Sequence, residues 1–214
     1  MIRDLGTAVR GGLARAEPVL VFLAGPNGAG KSTFFRDYLQ ELNLPFVNAD
    51  EMARRLRESS MFPKPEDVDR IAFEMTEKLR LSLLAGRQSF CTETVFSDPQ
   101  GAKLDFLKQA RAAGYWVCLV FIGLSDPQLS RARVMQRVAG GGHDVPDDKL
   151  LQRFPRTLTN LRGAISAVDE AYLFDNSSDA NPYRLVAIYS EGQIAVRVDP
   201  LPDWTAGLPG LEGG

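Results

Sequence analysis

Apolar residues fall into three patterns along the chain. Continuous runs mark strands buried on both faces, first from Val19 to Ala24 and then, most apolar of all, from Tyr115 to Leu124. Ser89 to Glu93 and Ala171 to Phe174 are shorter candidates of the same kind, and Asn43 to Asn48 is another, ending at the polar cluster Asn48, Asp50 and Glu51. Helical spacing appears from Glu66 to Ala85, where Val68, Ile71, Ala72, Met75, Leu79 and Leu83 recur. Further helices are predicted over Thr33–Leu42, Met52–Leu56, Asp126 to Val138, and onward from Pro146. Arg184–Ser190 and Gln193–Val198 flank Glu191-Gly192 as a terminal hairpin.

The tetrapeptide Ser-Asp-Pro-Gln occurs at Ser97–Gln100 and again at Ser125–Gln128, each time after a strand and before a helical pattern. Ser three residues ahead of Gln has the spacing of a capping box, and Pro suits a first helical turn. Strands alternating with helices imply an α/β fold: a P-loop NTPase or kinase-like parallel sheet with helices on both faces, ending in the C-terminal hairpin. The expected organisation is a loose or weakly helical lead-in over 1–17, one domain over 18–198, and a frayed Pro- and Gly-rich tail over 199–214.

Composition narrows this little further. The chain has 214 residues, 44% hydrophobic and 24% charged, with a net charge of −2, which excludes disordered and collagen-like classes. The longest apolar run, Trp116 to Ile122, is far below the roughly 20 residues of a membrane span. Charged residues interrupt the start before any signal-like stretch forms. Cys91 and Cys118 lie in apolar runs and read as reduced core residues, so a cytoplasmic protein is expected. Positive charge is local: seven Lys or Arg face three Asp between Arg131 and Arg162. That distribution fits a small anionic ligand better than a long polyanion.

The strongest chemical signal is Gly25-Pro26-Asn27-Gly28-Ala29-Gly30-Lys31-Ser32, which matches G-x-x-x-x-G-K-[ST] between a strand and a helix. Glycines let backbone N–H groups turn in around a phosphate, and the helix N-terminus adds a fixed positive dipole. Lys31 would reach the β- and γ-phosphates of ATP, and the Ser32 hydroxyl would hold Mg²⁺. Ligands of such sheets sit beyond the carboxyl ends of the strands, which is where Asp50 and Glu93 fall. Phosphoryl transfer needs a carboxylate to take the acceptor hydroxyl's proton and an acid near the metal. Asp50 is therefore assigned as the base, unless it merely caps a helix, for which Asn48 is the rival. Glu93 goes to the metal and substrate shell.

Arg133 and Arg137 share one helix face; Lys149, Arg153, Arg156 and Asn160 form a basic rail on the next helix, opposite Leu150, Leu151, Phe154, Leu158 and Leu161. Gly140-Gly141-Gly142 between them reads as a hinge. Together they make a helical arginine lid over about 126–162, able to close on a γ-phosphate. His143, the single histidine, is assigned no role.

The ordered set Gly25–Thr33, Asn48-Ala49-Asp50-Glu51, Thr92-Glu93-Thr94, Arg137 with the following Gly-Gly-His, Val145-Pro146, Arg153-Phe154-Pro155-Arg156, Asn160-Leu161 and Phe174–Ser177 resembles the zeta toxin family of P-loop kinases. The resemblance implies phosphorylation of UDP-N-acetylglucosamine on a sugar hydroxyl with ATP and Mg²⁺, and a separate antitoxin protein as partner. It carries over Lys31, Asp50, Arg137 and Arg153 as catalytic, with Arg156 a stand-in for Arg153. It places Gly25 through Thr33 and Asn176 at the nucleotide, Glu93, Thr94 and Arg156 at the acceptor, and Ser32 and Glu93 at the metal. The family's Gly-Thr and basic residue after the acid are replaced here by Thr94-Val95-Phe96-Ser97, which leaves the acceptor open. Two other readings are a regulatory P-loop NTPase with no acceptor and a polynucleotide kinase. The acidic total and the lack of an aromatic stacking platform on the 131–162 rail weigh against the latter.

Overall fold

Helix α1 (Ile2–Leu13) leads into β1 (Val19–Ala24), the phosphate loop, and α2 (Lys31–Phe34), which winds on through Leu42 as a π turn and a 3-10 turn. Then come β2 (Phe46–Val47), α3 (Ala49–Glu58), α4 (Pro65–Ala85), β3 (Phe90–Thr94), α5 (Ala102–Ala112) and β4 (Trp116–Gly123). Helices α6 (Pro127–Ala139) and α7 (Asp147–Ala164) precede β5 (Glu170–Asp175), β6 (Arg184–Ser190) and β7 (Gln193–Arg197). This computed structural model describes residues 2–59, 65–139 and 146–211; the Gly140-Gly141-Gly142 hinge and His143 lie outside them. Among the described residues no helix is long and apolar enough to cross a membrane.

The seven strands form one sheet in the order β2-β3-β1-β4-β5-β6-β7. Strands β1 to β5 pair in parallel, and β6 and β7 add an antiparallel edge. Along β1, Leu20, Phe22 and Ala24 enter one hydrophobic core while Val19, Val21 and Leu23 enter another. Both faces are therefore covered, as an uninterrupted apolar run requires. Each fully buried side chain of this size contributes about 1.5–3 kcal/mol. Cys91 and Cys118 both sit opposite Val21, one on each side of β1, and are free. Two interstrand spacings, about 9.6 Å, put them beyond the roughly 7 Å limit for a bridge.

Several expectations are corrected. The lead-in is a full helix: Leu5 and Val9, four apart, are completely buried in the same core as Val19 and Phe34. The tail is packed rather than frayed through Leu211, because Trp204, Leu208 and Leu211 are buried in the other core. On α4 the buried stripe runs through Val68 and Ala72, whereas Met75 and Leu79 are exposed, as is Leu151 on α7. In the second copy of the repeated tetrapeptide the capping residue is Asp, not Ser, and in the first the helix is capped by Gly101, which offers no side-chain bond. Asp126 Oδ1 accepts from Leu129 N at 2.9 Å while Ser125 Oγ donates to Asp126 Oδ2 at 2.8 Å. In the first copy Asp98 Oδ2 accepts from Lys103 N at 3.4 Å, ahead of a helix that starts only at Ala102. An anionic oxygen is favoured over a neutral hydroxyl beside N–H groups at the positive end of a helix.

Candidate active site

The phosphate loop is braced from outside. Gly28 has φ +71°, and a Cβ there would lie 2.8 Å from Ser130 O. Gly30 has φ +86°, and a Cβ would lie 2.7 Å from Tyr183 Oη and 2.8 Å from Asn176 Nδ2. Only glycine fits such a backbone so closely pressed. Asn176 Nδ2 donates to Ala29 O at 2.9 Å, Tyr183 Oη donates to Gly30 O at 2.9 Å, and Ser130 Oγ donates to Asn27 O at 2.7 Å. These bonds hold the carbonyls of Asn27, Ala29 and Gly30, while Ala29 N–H turns back to Pro26 O at 3.3 Å. Asn176 thus meets the loop from behind, through its carbonyl side.

Lys31 is buried, its Nζ donating to Pro26 O at 3.0 Å and standing 3.8 Å from Glu93 Oε1. Burial pushes the ammonium below the usual lysine range; the nearby Glu93 and Asp50 oppose this, and Arg137 adds to it. Asp50 and Arg137 are thus both within electrostatic reach of Lys31. Glu93 is the hub: its Oε2 accepts from Ser32 Oγ at 2.8 Å and from Asn48 Nδ2 at 2.6 Å. Asn48, not Asp50, caps α3, its Oδ1 accepting from Glu51 N at 2.9 Å. Asp50 is left exposed in the first turn of that helix.

A cleft of about 450 Å³ opens beside this hub, lined by Asp50, Glu93, Thr94, Arg153 and Arg156 among others. Its outer wall is the turn after β3. There Phe96, buried at φ +61°, donates its N–H to Thr94 Oγ1 at 3.2 Å. Helix α7 pins the turn: Thr157 Oγ1 donates to Val95 O at 2.9 Å, and Asn160 Nδ2 donates to Phe96 O and to Asp98 O, both at 3.0 Å. The rail residue Asn160 is thus structural, while Arg153 and Arg156 on the same helix face the cleft. Arg131 of α6 pairs with Asp147 of α7 at 2.6 Å.

Residues 5–193 match the sequence profile of the zeta toxin family. The chain belongs to the zeta toxin family. An uncharacterised protein of Haemophilus influenzae is 27% identical over 136 residues, covering 63% of this chain and 91% of the relative. A structure from the PezAT chromosomal toxin–antitoxin system of Streptococcus pneumoniae is similar at a TM-score of 0.57 and 19% identity, over 87% of this chain and 77% of that one. The AvrRxo1-ORF1:-ORF2 structure with ATP reaches a TM-score of 0.60 at 17% identity, over 84% and 60% of the two chains. These likenesses show a shared α/β fold.

Within this family member, three supporting residues escape a reading from motifs, Arg80, Ser130 and Tyr183, while Thr92 stands in the quoted Thr92-Glu93-Thr94 with no role assigned to it. Of the three, Arg80 alone left a trace in the sequence. It continues the four-residue series Val68, Ala72, Thr76, all buried, as a cation on a buried stripe. The others touch the site through partners up to 153 residues away in the chain, which no local pattern records.

Proposed function

We propose that this protein is a phosphotransferase that moves the γ-phosphate of ATP, with Mg²⁺, to a hydroxyl of a small acceptor, UDP-N-acetylglucosamine being the first to test. The observation that carries this reading is the cleft lined by Asp50, Glu93, Arg153 and Arg156 together, with Glu93 Oε1 3.8 Å from Lys31 Nζ. Such a chamber has a carboxylate for a proton, cations for phosphoryl charge, and room for a second substrate. A regulatory NTPase has no need of that room.

In the proposed reaction the loop N–H groups and Lys31 hold the β- and γ-phosphates. Asp50, exposed to the cleft, accepts the proton of the attacking hydroxyl. Arg137 and Arg153 spread the charge that develops on the transferring group, with Arg156 beside them; an arginine in this role is worth about 10³- to 10⁵-fold. Ser32 Oγ and Glu93 Oε2 form an adjacent hydroxyl–carboxylate pair, a hard-oxygen set that suits Mg²⁺ completed by phosphate and water. The ion there would neutralise phosphate charge. Glu93, which touches Lys31, Ser32 and Asn48 together, keeps the phosphate loop in register with the end of β2. A separate antitoxin partner is part of the same proposal, in line with the toxin–antitoxin system named for the Streptococcus pneumoniae relative.

Incubation with ATP, Mg²⁺ and a panel of UDP-sugars, read by mass spectrometry, is expected to show one added phosphate on an acceptor. Free phosphate as the sole product across the panel and a wider metabolite pool would return the regulatory NTPase reading.

A further inference from the structure

Helix α4 sends a guanidinium into the floor of the cleft. Arg80 is 4% exposed, and every one of its nitrogens has a partner there. Nε donates to Thr92 Oγ1 at 2.6 Å, Nη2 donates to Glu93 O at 3.0 Å, and Nη1 donates to Glu77, which also receives Lys103 Nζ. Thr92 Oγ1 in turn donates to Val47 O at 3.1 Å. Val47 is the residue paired with Thr92 across β2 and β3, and it directly precedes Asn48, the cap of the helix that carries Asp50.

The consequence is geometric. One planar, five-donor group contacts the backbone of Glu93 and, through one hydroxyl, the backbone that leads to Asp50. The strand β2 is only two residues long, so its own ladder holds that edge weakly. A burial this deep disfavours the charged form of Arg80, with Glu77 offsetting it. A cation is kept here despite that cost, where an apolar side chain would continue the stripe of Val68 and Ala72.

We infer that Arg80 is a positioning residue for phosphoryl transfer, fixing the carboxylates of Asp50 and Glu93 relative to each other at the end of the cleft. This rests on the proposal that those carboxylates carry the chemistry. A misplacement of about 1 Å at a reacting group costs on the order of 10²-fold in rate. Arg80→Gln keeps a polar group yet removes two of the three contacts, and Arg80→Lys keeps the charge with a single donor head in place of the fork.

The experiment measures γ-phosphate release and transfer to UDP-N-acetylglucosamine in the full chain, together with ATP affinity, at a temperature well below each variant's melting point. Arg80→Gln is expected to lower kcat per ATP-binding site about 10²-fold with ATP affinity within about twofold, and Arg80→Lys about 10-fold. Thr92→Val, which removes the hydroxyl bridge between Arg80 Nε and Val47 O but leaves the bonds of Arg80 to Glu93 O and Glu77, is expected to fall between wild type and Arg80→Gln. A kcat within about threefold of wild type in Arg80→Lys and Thr92→Val, with only the melting point lowered, overturns the positioning role, even if Arg80→Gln fails to fold. Wild-type protein that releases phosphate without modifying any acceptor sinks the kinase reading instead, and phosphate release still decides on Arg80.

Discussion

Lys31 is placed where charge is hardest to keep without a ligand. Buried and bonded to Pro26 O, it holds its proton less tightly than an ordinary lysine, although Glu93 and Asp50 pull the other way. Nucleotide phosphates bring further negative charge, which favours the ammonium. ATP binding on the alkaline side is therefore expected to take up a proton, and affinity should fall as pH rises through a Lys31 pKa that lies below the usual value of about 10.4. Calorimetric titration in two buffers of different ionisation enthalpy reads that uptake, and Lys31→Met should abolish it. An affinity that stays flat up to the ordinary lysine range would contradict the assignment. Asp50 makes the complementary case. Exposed at the cleft and free of capping duty, it can be changed to Asn without touching the α3 cap. Asp50→Asn should cut phosphoryl transfer about 10²- to 10⁴-fold while ATP binding survives; transfer at wild-type rate would remove Asp50 as the base.

Helix α3 and strand β3 meet through one amide, and the two ends of that amide can be tested separately. Asn48 Oδ1 caps the helix and Asn48 Nδ2 holds Glu93. Asn48→Ala should cost about 1 kcal/mol in urea denaturation from the cap alone and also slow turnover. Asn48→Asp should retain the cap and still slow turnover, since it sets a carboxylate against Glu93. Equal turnover in Asn48→Asp and wild type would mean that the Glu93 contact does no orienting. This is also the level at which the sequence was most legible. The runs Val19–Ala24 and Trp116–Ile122 read as strands because both faces are buried and no polar residue interrupts them. The phosphate loop and Asp50 and Glu93 at strand ends followed from local order alone, and so did Asn48 as the rival cap. What stayed hidden depends on docking. Two apolar residues, Leu5 and Val9, suffice for α1 once a core exists to receive them. Arg80 is marked only by its place on the Val68, Ala72, Thr76 stripe, and what it bonds becomes visible once β2 and β3 are brought beside it.

At the scale of the whole molecule, the residues after β7 close one core and reach the nucleotide end. Trp204 lies so close over Gly123 that a Cβ there would run into its ring. Its Nε1 donates to Asp175 Oδ1 at 3.0 Å, and the next residue, Asn176, holds the phosphate loop at Ala29. The chain end and the loop are thus two contacts apart, so stability and nucleotide affinity should fall together when that end is loosened. Trp204→Ala should destabilise by about 3–5 kcal/mol, the usual cost of emptying a large aromatic site. Trp204→Phe keeps most of the packing and loses only the donor to Asp175, so it should cost much less. A ligand that binds the folded state alone adds about 2.7 kcal/mol at 100 times its dissociation constant, and ATP is the ligand expected to do so here. A thermal-shift series with and without ATP should therefore show Trp204→Ala melting well below wild type and ATP recovering much of the gap. The recovery should come at higher ATP concentrations than wild type needs, because Asn176 is less firmly placed. Unchanged melting in Trp204→Ala would mean that the residues after β7 merely rest on the core. Lowered melting with an unaltered ATP dependence would separate the packing of Trp204 from the brace at Ala29.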